Sequence, residues 1–184
     1  NKKFNLNMKI LFCLSNGNCK YILKACDKLK NNKKIRFSYY CSDKLSIEND
    51  ELLNKFSKKN KIKIFRFQEK CKNTNNIDYK YLDYINENLN FNLWKSISID
   101  RDYGRVYIQD LDGYKSTFTS KNHIITSSIA RIKFIEKMLD KFRPNILFWP
   151  AVVASIDAAI FNNICKIKKI NFITPTSFRF KNYF

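Results

Sequence analysis

The sequence has few of the residues that form several common kinds of site. It contains 3 glycines, 3 prolines and 1 histidine among 184 residues. No G-x-G-x-x-G phrase is present, which excludes the usual dinucleotide-binding turn. The single His123 excludes a histidine-rich metal site, and the 6 cysteines include no C-x-x-C pair of zinc spacing. We therefore predict that the chain has no metal site and that its cysteines are buried, reduced thiols.

Acidic residues are also scarce, since 16 Asp and Glu stand against 35 Lys and Arg and leave a net charge of +19. Most of the basic residues are lysines spread along every predicted helix, a pattern typical of solvated helix faces. A nucleic-acid binder more often concentrates arginine in one patch, so we expect no specific nucleic-acid partner. Attraction to an anionic membrane surface or to a phosphorylated substrate is the alternative explanation of the charge.

Long hydrophobic runs are missing as well. No apolar segment approaches the length of a membrane span, and none is flanked like a signal peptide. We expect a cytoplasmic protein, with peripheral contact at the inner face of the plasma membrane as the only membrane association.

The segment Ile10–Leu14 is a nearly continuous apolar run, which is typical of a strand buried on both faces of a parallel sheet. A polar turn at residues 15–18 follows, and then a helical pattern begins. Ligands of doubly wound sheets bind beyond the carboxyl ends of the strands. Asn16 and Gly17 are therefore candidate substrate-binding residues, with backbone amides suited to an anion. The alternative is that Gly17 only makes the turn.

Strand and helix patterns alternate along most of the chain. Acidic residues early and basic residues late mark the helix that begins after Ser46, and a 3.6-residue apolar period marks a long helix over residues 120–142. The predicted fold class is α/β: a Rossmann-like, doubly wound parallel sheet in the order 3-2-1-4-5 with helices on both faces. The predicted strands span residues 9–14, 35–40, 62–67, 145–149 and 170–174.

In such a sheet the turns after the strands share one edge, where we expect the functional residues. The turns that precede the strands, such as Asn31–Lys34 and Arg143-Pro144, are expected to matter only for stability.

The end of the chain resembles a known family. Lys141-Phe-Arg-Pro-Asn-Ile-Leu-Phe-Trp149 joins a long helix to an apolar strand, an Ala-rich helix follows, and the phrase K-K-I-x-F-I-x-P-T-x-x-R begins at Lys168. The opening Met8-Lys-Ile-Leu-Phe and the segment Leu93-Trp94…Ile97…Asp100-Arg101 fit the same pattern. Together these segments resemble the N-terminal half of GT-B glycosyltransferase-like proteins, in particular bacterial proteins of capsule and surface polysaccharide biosynthesis.

This resemblance implies a domain organisation and a function. Residues 1–7 would be a disordered leader, and residues 8–184 one Rossmann-like domain, truncated before a C-terminal nucleotide-sugar-binding domain. The chain would be the acceptor-side domain of a glycosyltransferase that moves a sugar from a nucleotide-sugar donor to a surface polysaccharide or lipid-linked glycan. No cofactor is expected in this chain, and the fragment alone is expected to be inactive.

The same resemblance places the remaining candidate residues. Inverting transfer needs a base, for which Asp100 is the candidate, and cations that hold phosphate, for which Arg101 and Arg179 are candidates. An Asp100–Arg101 ion pair and a domain-docking role for Arg179 are the alternatives. Two other functions are weighed: a UDP-sugar 2-epimerase-like enzyme of the same fold, and a non-catalytic basic module that binds nucleic acid.

Overall fold

A single parallel sheet organises the chain. The computed structural model describes residues 8–41, 45–67, 77–89, 91–99, 121–150 and 155–175. These residues contain five strands in the spatial order β3-β2-β1-β4-β5, all parallel. The strands are β1 Met8–Leu14, β2 Ile35–Cys41, β3 Ile64–Arg66, β4 Ile146–Phe148 and β5 Asn171–Ile173. The predicted order is confirmed.

The two long strands lie at the centre because their side chains are apolar on both faces. β1 and β2 pair along their whole length, from Met8 opposite Ile35 to Leu14 opposite Cys41. β4 pairs with β1 on the other side, with Phe12 opposite Phe148. The crossover direction therefore reverses at β1, and the gap between the ends of β1 and β4 is the switch point of the sheet.

The described residues contain six helices at the places that the apolar periods predict. They are α1 Cys19–Leu29, α2 Ile47–Asn60, α3 Tyr79–Asn88, α4 Leu93–Ile99, α5 Lys121–Phe142 and α6 Ile156–Ile167. Ser46 caps α2 by accepting from the Asn49 amide, and Ser155 caps α6 by accepting from the Ala158 amide. Each of these hydrogen bonds satisfies a backbone amide in the first turn of the helix and so favours the start of the helix at that residue.

Separate apolar cores cover the two faces of the sheet. α1 and α2 pack over alternate residues of β1 and β2, including Phe12, Leu14 and Tyr39. α3 to α6 pack over the opposite residues, including Leu11, Cys13 and Tyr40. α3 is tied to α5 by Glu136, whose carboxylate accepts hydrogen bonds from the hydroxyls of Tyr81 and Tyr84.

The amino edge of the sheet shows how the chain turns with so little glycine. Lys61, Arg143 and Lys169 have left-handed φ values of 53°, 51° and 54°, and each follows the end of a helix. Glycine is the usual residue at this position because it has no Cβ. Lys61 and Lys169 each complete a Schellman motif, in which two backbone amides bond back to the last turn of the helix.

No helix among the described residues is both long and apolar enough to cross a membrane.

Candidate functional site

The candidate site is the carboxyl edge of the sheet, where the chain leaves each strand. Ser15 follows β1, Phe67 follows β3, Trp149 follows β4 and Thr174 follows β5. Neighbouring strands lie about 4.8 Å apart, so residues that follow adjacent strands come within reach of one small ligand.

A polar turn joins β1 to α1 at the centre of this edge. The Ser15 carbonyl accepts from the amides of Asn18 and Cys19, at 3.2 and 3.0 Å, and the Ser15 amide donates to Asn18 Oδ1 at 2.9 Å. The backbone of Ser15 is thus fixed by its own turn, while its half-buried side-chain hydroxyl has no hydrogen-bond partner among the described residues. The amides of Lys20 and Tyr21, in the first turn of α1, are also without a backbone acceptor there.

Asn16 has a structural role in the same turn. Its side-chain oxygen accepts from the Ser46 amide at 2.7 Å and from Asn49 Nδ2 at 3.3 Å, and its carbonyl accepts from the same Asn49 nitrogen at 3.2 Å. These bonds join the start of α1 to the start of α2, and the Lys20–Glu48 ion pair at 2.6 Å adds a further link. A substrate contact by Asn16 would therefore have to be made by its backbone amide or its side-chain nitrogen Nδ2.

Gly17 is exposed, and a Cβ built on it would meet no atom within 4 Å. Neither packing nor a left-handed backbone requires glycine at this position. Its predicted contact with substrate stays a prediction.

The other predicted site residues, Asp100, Arg101 and Arg179, lie outside the described residues. Whether Arg179 shares a cleft with Asn16 and Gly17 therefore stays a prediction. The described residues contain no cluster of His, Cys, Asp and Glu side chains that could hold a metal ion.

Sequence reasoning missed a buried polar cluster beneath the same edge, on the α5/α6 face. Asp157 Oδ2 accepts from the Tyr40 hydroxyl at 2.8 Å, and Oδ1 accepts from Arg131 Nη1 at 2.8 Å. The Asp157 side chain is 2% exposed and that of Arg131 is 13% exposed. The Arg131 guanidinium also lies over the Phe67 ring, 4.7 Å from its centre.

The position of Asp157 explains how a buried carboxylate is stabilised in this cluster. It lies in the first turn of α6, where the helix dipole favours negative charge. Burial, followed by the charge of Asp157, raises the pKa of Tyr40 and that of Cys13 well above their usual values. The sequence signal was the phrase Ser155-Ile-Asp157, a capping serine followed by an acid, but its partners Tyr40 and Arg131 are remote in sequence.

Two further buried polar groups at this edge have no hydrogen-bond partner among the residues that the structure describes. They are the indole Nε1 of Trp149, a residue that is only 5% exposed, and Oγ1 of Thr174. A buried donor left unpaired costs about 1–3 kcal/mol, so each such group calls for an explanation.

The buried thiols of the described residues are poorly suited to act as nucleophiles. Burial raises the pKa of Cys26 to about 11 and that of Cys165 to about 12, and it raises the pKa of Cys19 as well. Because only the thiolate reacts, the raised pKa values make these cysteines weak nucleophiles at neutral pH. Cys13, Cys19, Cys26 and Cys165 are buried, as predicted for them, and that they are reduced stays a prediction.

Comparison with known proteins gives one informative result. No protein-family model and no curated protein sequence matches the chain. Among solved structures, a CDPS (cyclodipeptide synthase) from Fluoribacter dumoffii aligns with a TM-score of 0.51 and 13% sequence identity. The alignment covers 92% of this chain and 89% of that one. The fold is similar to that of a cyclodipeptide synthase.

This match overturns the predicted glycosyltransferase. The GT-B assignment, the sugar-transfer function and the polysaccharide and capsule role are wrong, and the epimerase and nucleic-acid-module alternatives gain no support. The residues that suggested GT-B specify a helix, a basic turn with proline and a buried strand. Any parallel α/β sheet needs such units, so they identify the architecture and not the chemistry.

Proposed function

We propose that this protein takes the aminoacyl group from an aminoacyl-tRNA, as an enzyme related in function to the cyclodipeptide synthases. The observation that carries the proposal is the position of Ser15 in a fold of this kind. Its hydroxyl lies at the carboxyl end of the central strand β1, at the switch point of the sheet. No described residue forms a hydrogen bond with this hydroxyl.

A hydroxyl at this position suits acyl transfer from an ester. The Ser15 oxygen attacks the ester carbonyl of the aminoacyl group, a new ester bond forms to Oγ, and the bond to the ribose oxygen breaks. The hydroxyl proton ends on that ribose oxygen, so tRNA leaves with a free hydroxyl. Charge develops on the carbonyl oxygen during attack, and unpaired amides at the start of α1 are suitable donors to it.

The buried thiols favour Ser15 over cysteine as the acceptor. Cys13 is the cysteine nearest the turn in sequence, but its side chain is buried and closed to a substrate, whereas Ser15 is only half-buried. The chemistry therefore falls to a hydroxyl.

The net charge of +19 supports a polyanionic substrate. The lysines on the helix faces, interpreted above as solvated, would attract the phosphates of tRNA without reading its sequence. We therefore expect binding that weakens steeply as the salt concentration rises.

The test is acyl transfer from charged tRNA. The protein is mixed with tRNA carrying radiolabelled amino acids, and label on the protein, loss of charged tRNA and any cyclic dipeptide are measured. Ser15→Ala should leave the protein unlabelled and return tRNA deacylation to its uncatalysed rate, because no acyl acceptor remains.

Ser98→Ala is the matched control. Ser98 is an exposed serine on α4 whose hydroxyl bonds only to its own helix, at Lys95. This variant should behave like the unmodified chain. Label retained on Ser15→Ala, or no consumption of any charged tRNA by the unmodified protein, would overturn the proposal.

A further inference from the structure

Positive charge is concentrated at the amino edge of the sheet, on the side opposite the candidate site. Four connections lead from a helix into β2, β3, β4 and β5, and we call them the amino-edge turns. They hold thirteen basic residues: four within 28–34, four within 58–63, two within 140–143 and three within 166–169. All of these side chains are exposed except that of Lys30, which is half-buried.

Very few carboxylates neutralise this charge. Asp140 is the single acidic residue within the amino-edge turns, and Asp27 lies just before them in sequence. Among the described residues, these two carboxylates form ion pairs with the turns, Asp140 with Lys168 and Asp27 with Lys30, both at 2.5 Å. The other basic residues of the turns therefore give this edge a large net positive charge.

The carboxyl edge has a different charge balance. The first turns of α1, α2, α3 and α6, which follow the strands, hold two lysines against three acidic residues: Lys20 and Lys80 against Glu48, Asp50 and Asp157. The described part of the molecule is therefore polarised along its strands. An even scatter of lysines over all helix faces would not produce this difference between the two edges.

The needs of the fold do not account for all of this charge. Cations at the end of a helix stabilise its dipole, but the effect is confined to the last turn. Lys61, Arg143 and Lys169 lie beyond their helices in the left-handed conformation, where glycine would be less strained. All three left-handed residues of the described chain are thus basic and lie at this one edge. Strained residues are typical of positions whose side chains serve a function.

Two lysines of this edge are also held close to each other. Lys63 Nζ lies 4.6 Å from the centre of the Phe65 ring. Loss of solvent, and next the charge of Lys141, lowers the pKa of Lys63. Neighbouring like charges destabilise the charged form of each group, and an anion between them removes that penalty. The pair therefore supports an anionic partner at this edge.

The composition and shape of the edge favour lipid over nucleic acid. All but one of the thirteen basic residues are lysines, whereas nucleic-acid sites favour arginine and stacking aromatic residues. Neighbouring strands lie about 4.8 Å apart, so the turns form a row about 19 Å long from β3 to β5. A planar surface can contact all of them at once. Met8 and Ile167, which are 38% and 51% exposed, place apolar side chains at the same edge. Apolar side chains among lysines suit the headgroup region of a bilayer.

We propose that the amino-edge turns dock on the surface of a bilayer that contains anionic lipid. The headgroup phosphates and carboxylates neutralise the lysines, and Met8 and Ile167 enter the headgroup layer. The seven residues of β1 separate the two edges by about 23 Å, so Ser15 faces away from the bilayer. This inference does not depend on the proposed function, and it gives a second role to turns that the sequence assigned to stability alone.

The test is sedimentation of the protein with lipid vesicles. Vesicles of phosphatidylcholine with about 30% phosphatidylserine should bind the protein, and vesicles of phosphatidylcholine alone should not. About 1 M salt should release it, because the Debye length is then only about 3 Å. No binding to the anionic vesicles, or equal binding to both kinds, would overturn the inference.

A pair of substitutions removes charge from the edge without weakening the fold. Lys61→Gly with Lys169→Gly relieves two left-handed residues, so the stability to urea should not fall. Vesicle binding should weaken about fivefold for each charge removed, and so about twenty-five-fold for both. The matched control is Lys24→Gln with Lys55→Gln, which removes two exposed lysines from the middle of α1 and α2. Equal losses in the two pairs would show that only net charge matters, and the inference fails.

A further comparison separates a bilayer from tRNA as the partner of this edge. Ile167→Ser removes an exposed apolar side chain from the last residue of α6 and should weaken vesicle binding about threefold. Binding of deacylated tRNA should be unchanged in this variant. If the glycine pair weakens tRNA binding but not vesicle binding, the edge serves tRNA and the inference is overturned. The vesicle assay contains no tRNA, so its result is independent of whether Ser15 accepts an acyl group.

Discussion

The two edges of the sheet are built differently, although both consist of turns between helices and strands. At the amino edge the backbone is strained but its hydrogen bonds are made: the left-handed residues Lys61 and Lys169 close Schellman motifs. Asn145 holds β4 to β1 there, since its Oδ1 accepts from the Lys9 amide at 2.8 Å. At the carboxyl edge, the half-buried Ser15 hydroxyl and the buried Trp149 Nε1 and Thr174 Oγ1 have no hydrogen-bond partner in the described part of the chain.

The difference teaches where to look for function in a chain without a recognisable motif. The backbone bonds of the amino edge are closed, although Ser57 Oγ in the last turn of α2 is buried without a partner among the described residues. Buried polar groups without a partner call for an explanation, and a bound ligand is one such explanation at the carboxyl edge. Three substitutions sharpen or break this division.

The largest effect on stability is expected for a substitution of Asp157. Asp157→Asn removes the buried charge that Arg131 and Tyr40 contact, which should cost about 3–5 kcal/mol in the free energy of unfolding. Urea denaturation measures this. The control is Asp140→Asn, which breaks the exposed pair with Lys168, whose length is 2.5 Å, and should cost at most about 1 kcal/mol. A similar loss of unfolding free energy in the two variants would show that the cluster of Asp157, Arg131 and Tyr40 contributes no more to stability than an exposed ion pair.

An intermediate effect on stability is expected for a substitution at Asn16. This residue lies at the carboxyl edge, but its hydrogen bonds join α1 to α2. Asn16→Ala removes the acceptor used by Ser46 and Asn49 and should cost about 1–2 kcal/mol. The sequence predicted a substrate contact here. If Asn16 is only structural, transfer activity measured well below the melting temperature should change little. A large loss of activity at unchanged stability would restore the predicted binding role.

The smallest effect is expected at the amino edge and has the opposite sign. Lys61→Gly relieves the left-handed strain of a side chain at φ 53° and should raise the unfolding free energy by up to about 1 kcal/mol. Activity should not change. Lys58→Gly, in the last turn of the same helix, is the control and should lower stability by about 1 kcal/mol. A drop in transfer activity of Lys61→Gly would contradict the separation of this edge from the site of acyl transfer.

Most of the fold was predictable because its signals are local. The apolar run at β1, the acid-first and base-last order of α2 and the long period of α5 depend on neighbouring residues only. The strand order follows from right-handed crossovers once the elements are known. The error in function has the same origin, since the phrase from Lys141 to Trp149 describes a connection that many α/β proteins share.

The candidate site was less predictable because its contacts are long-range. Tyr40 and Asp157 are 117 positions apart, and Arg131 and Asp157 are 26 apart. No periodicity or charge order in one helix points to a partner at such distances. Asn16 was singled out from the sequence, but its bonds to Ser46 and Asn49 were not predicted, because those residues reach it only once α1 and α2 pack together.

The sequence by itself determined the elements and the order of the strands, and it predicted function at the carboxyl edge. These follow from steric and hydrophobic preferences that act over a few residues at a time. Only the tertiary structure decided which polar groups pair and which stay unpaired, because pairing depends on side chains that meet after the helices dock on the sheet. Only the tertiary structure therefore shows that the Ser15 hydroxyl, Trp149 Nε1 and Thr174 Oγ1 have no hydrogen-bond partner among the described residues.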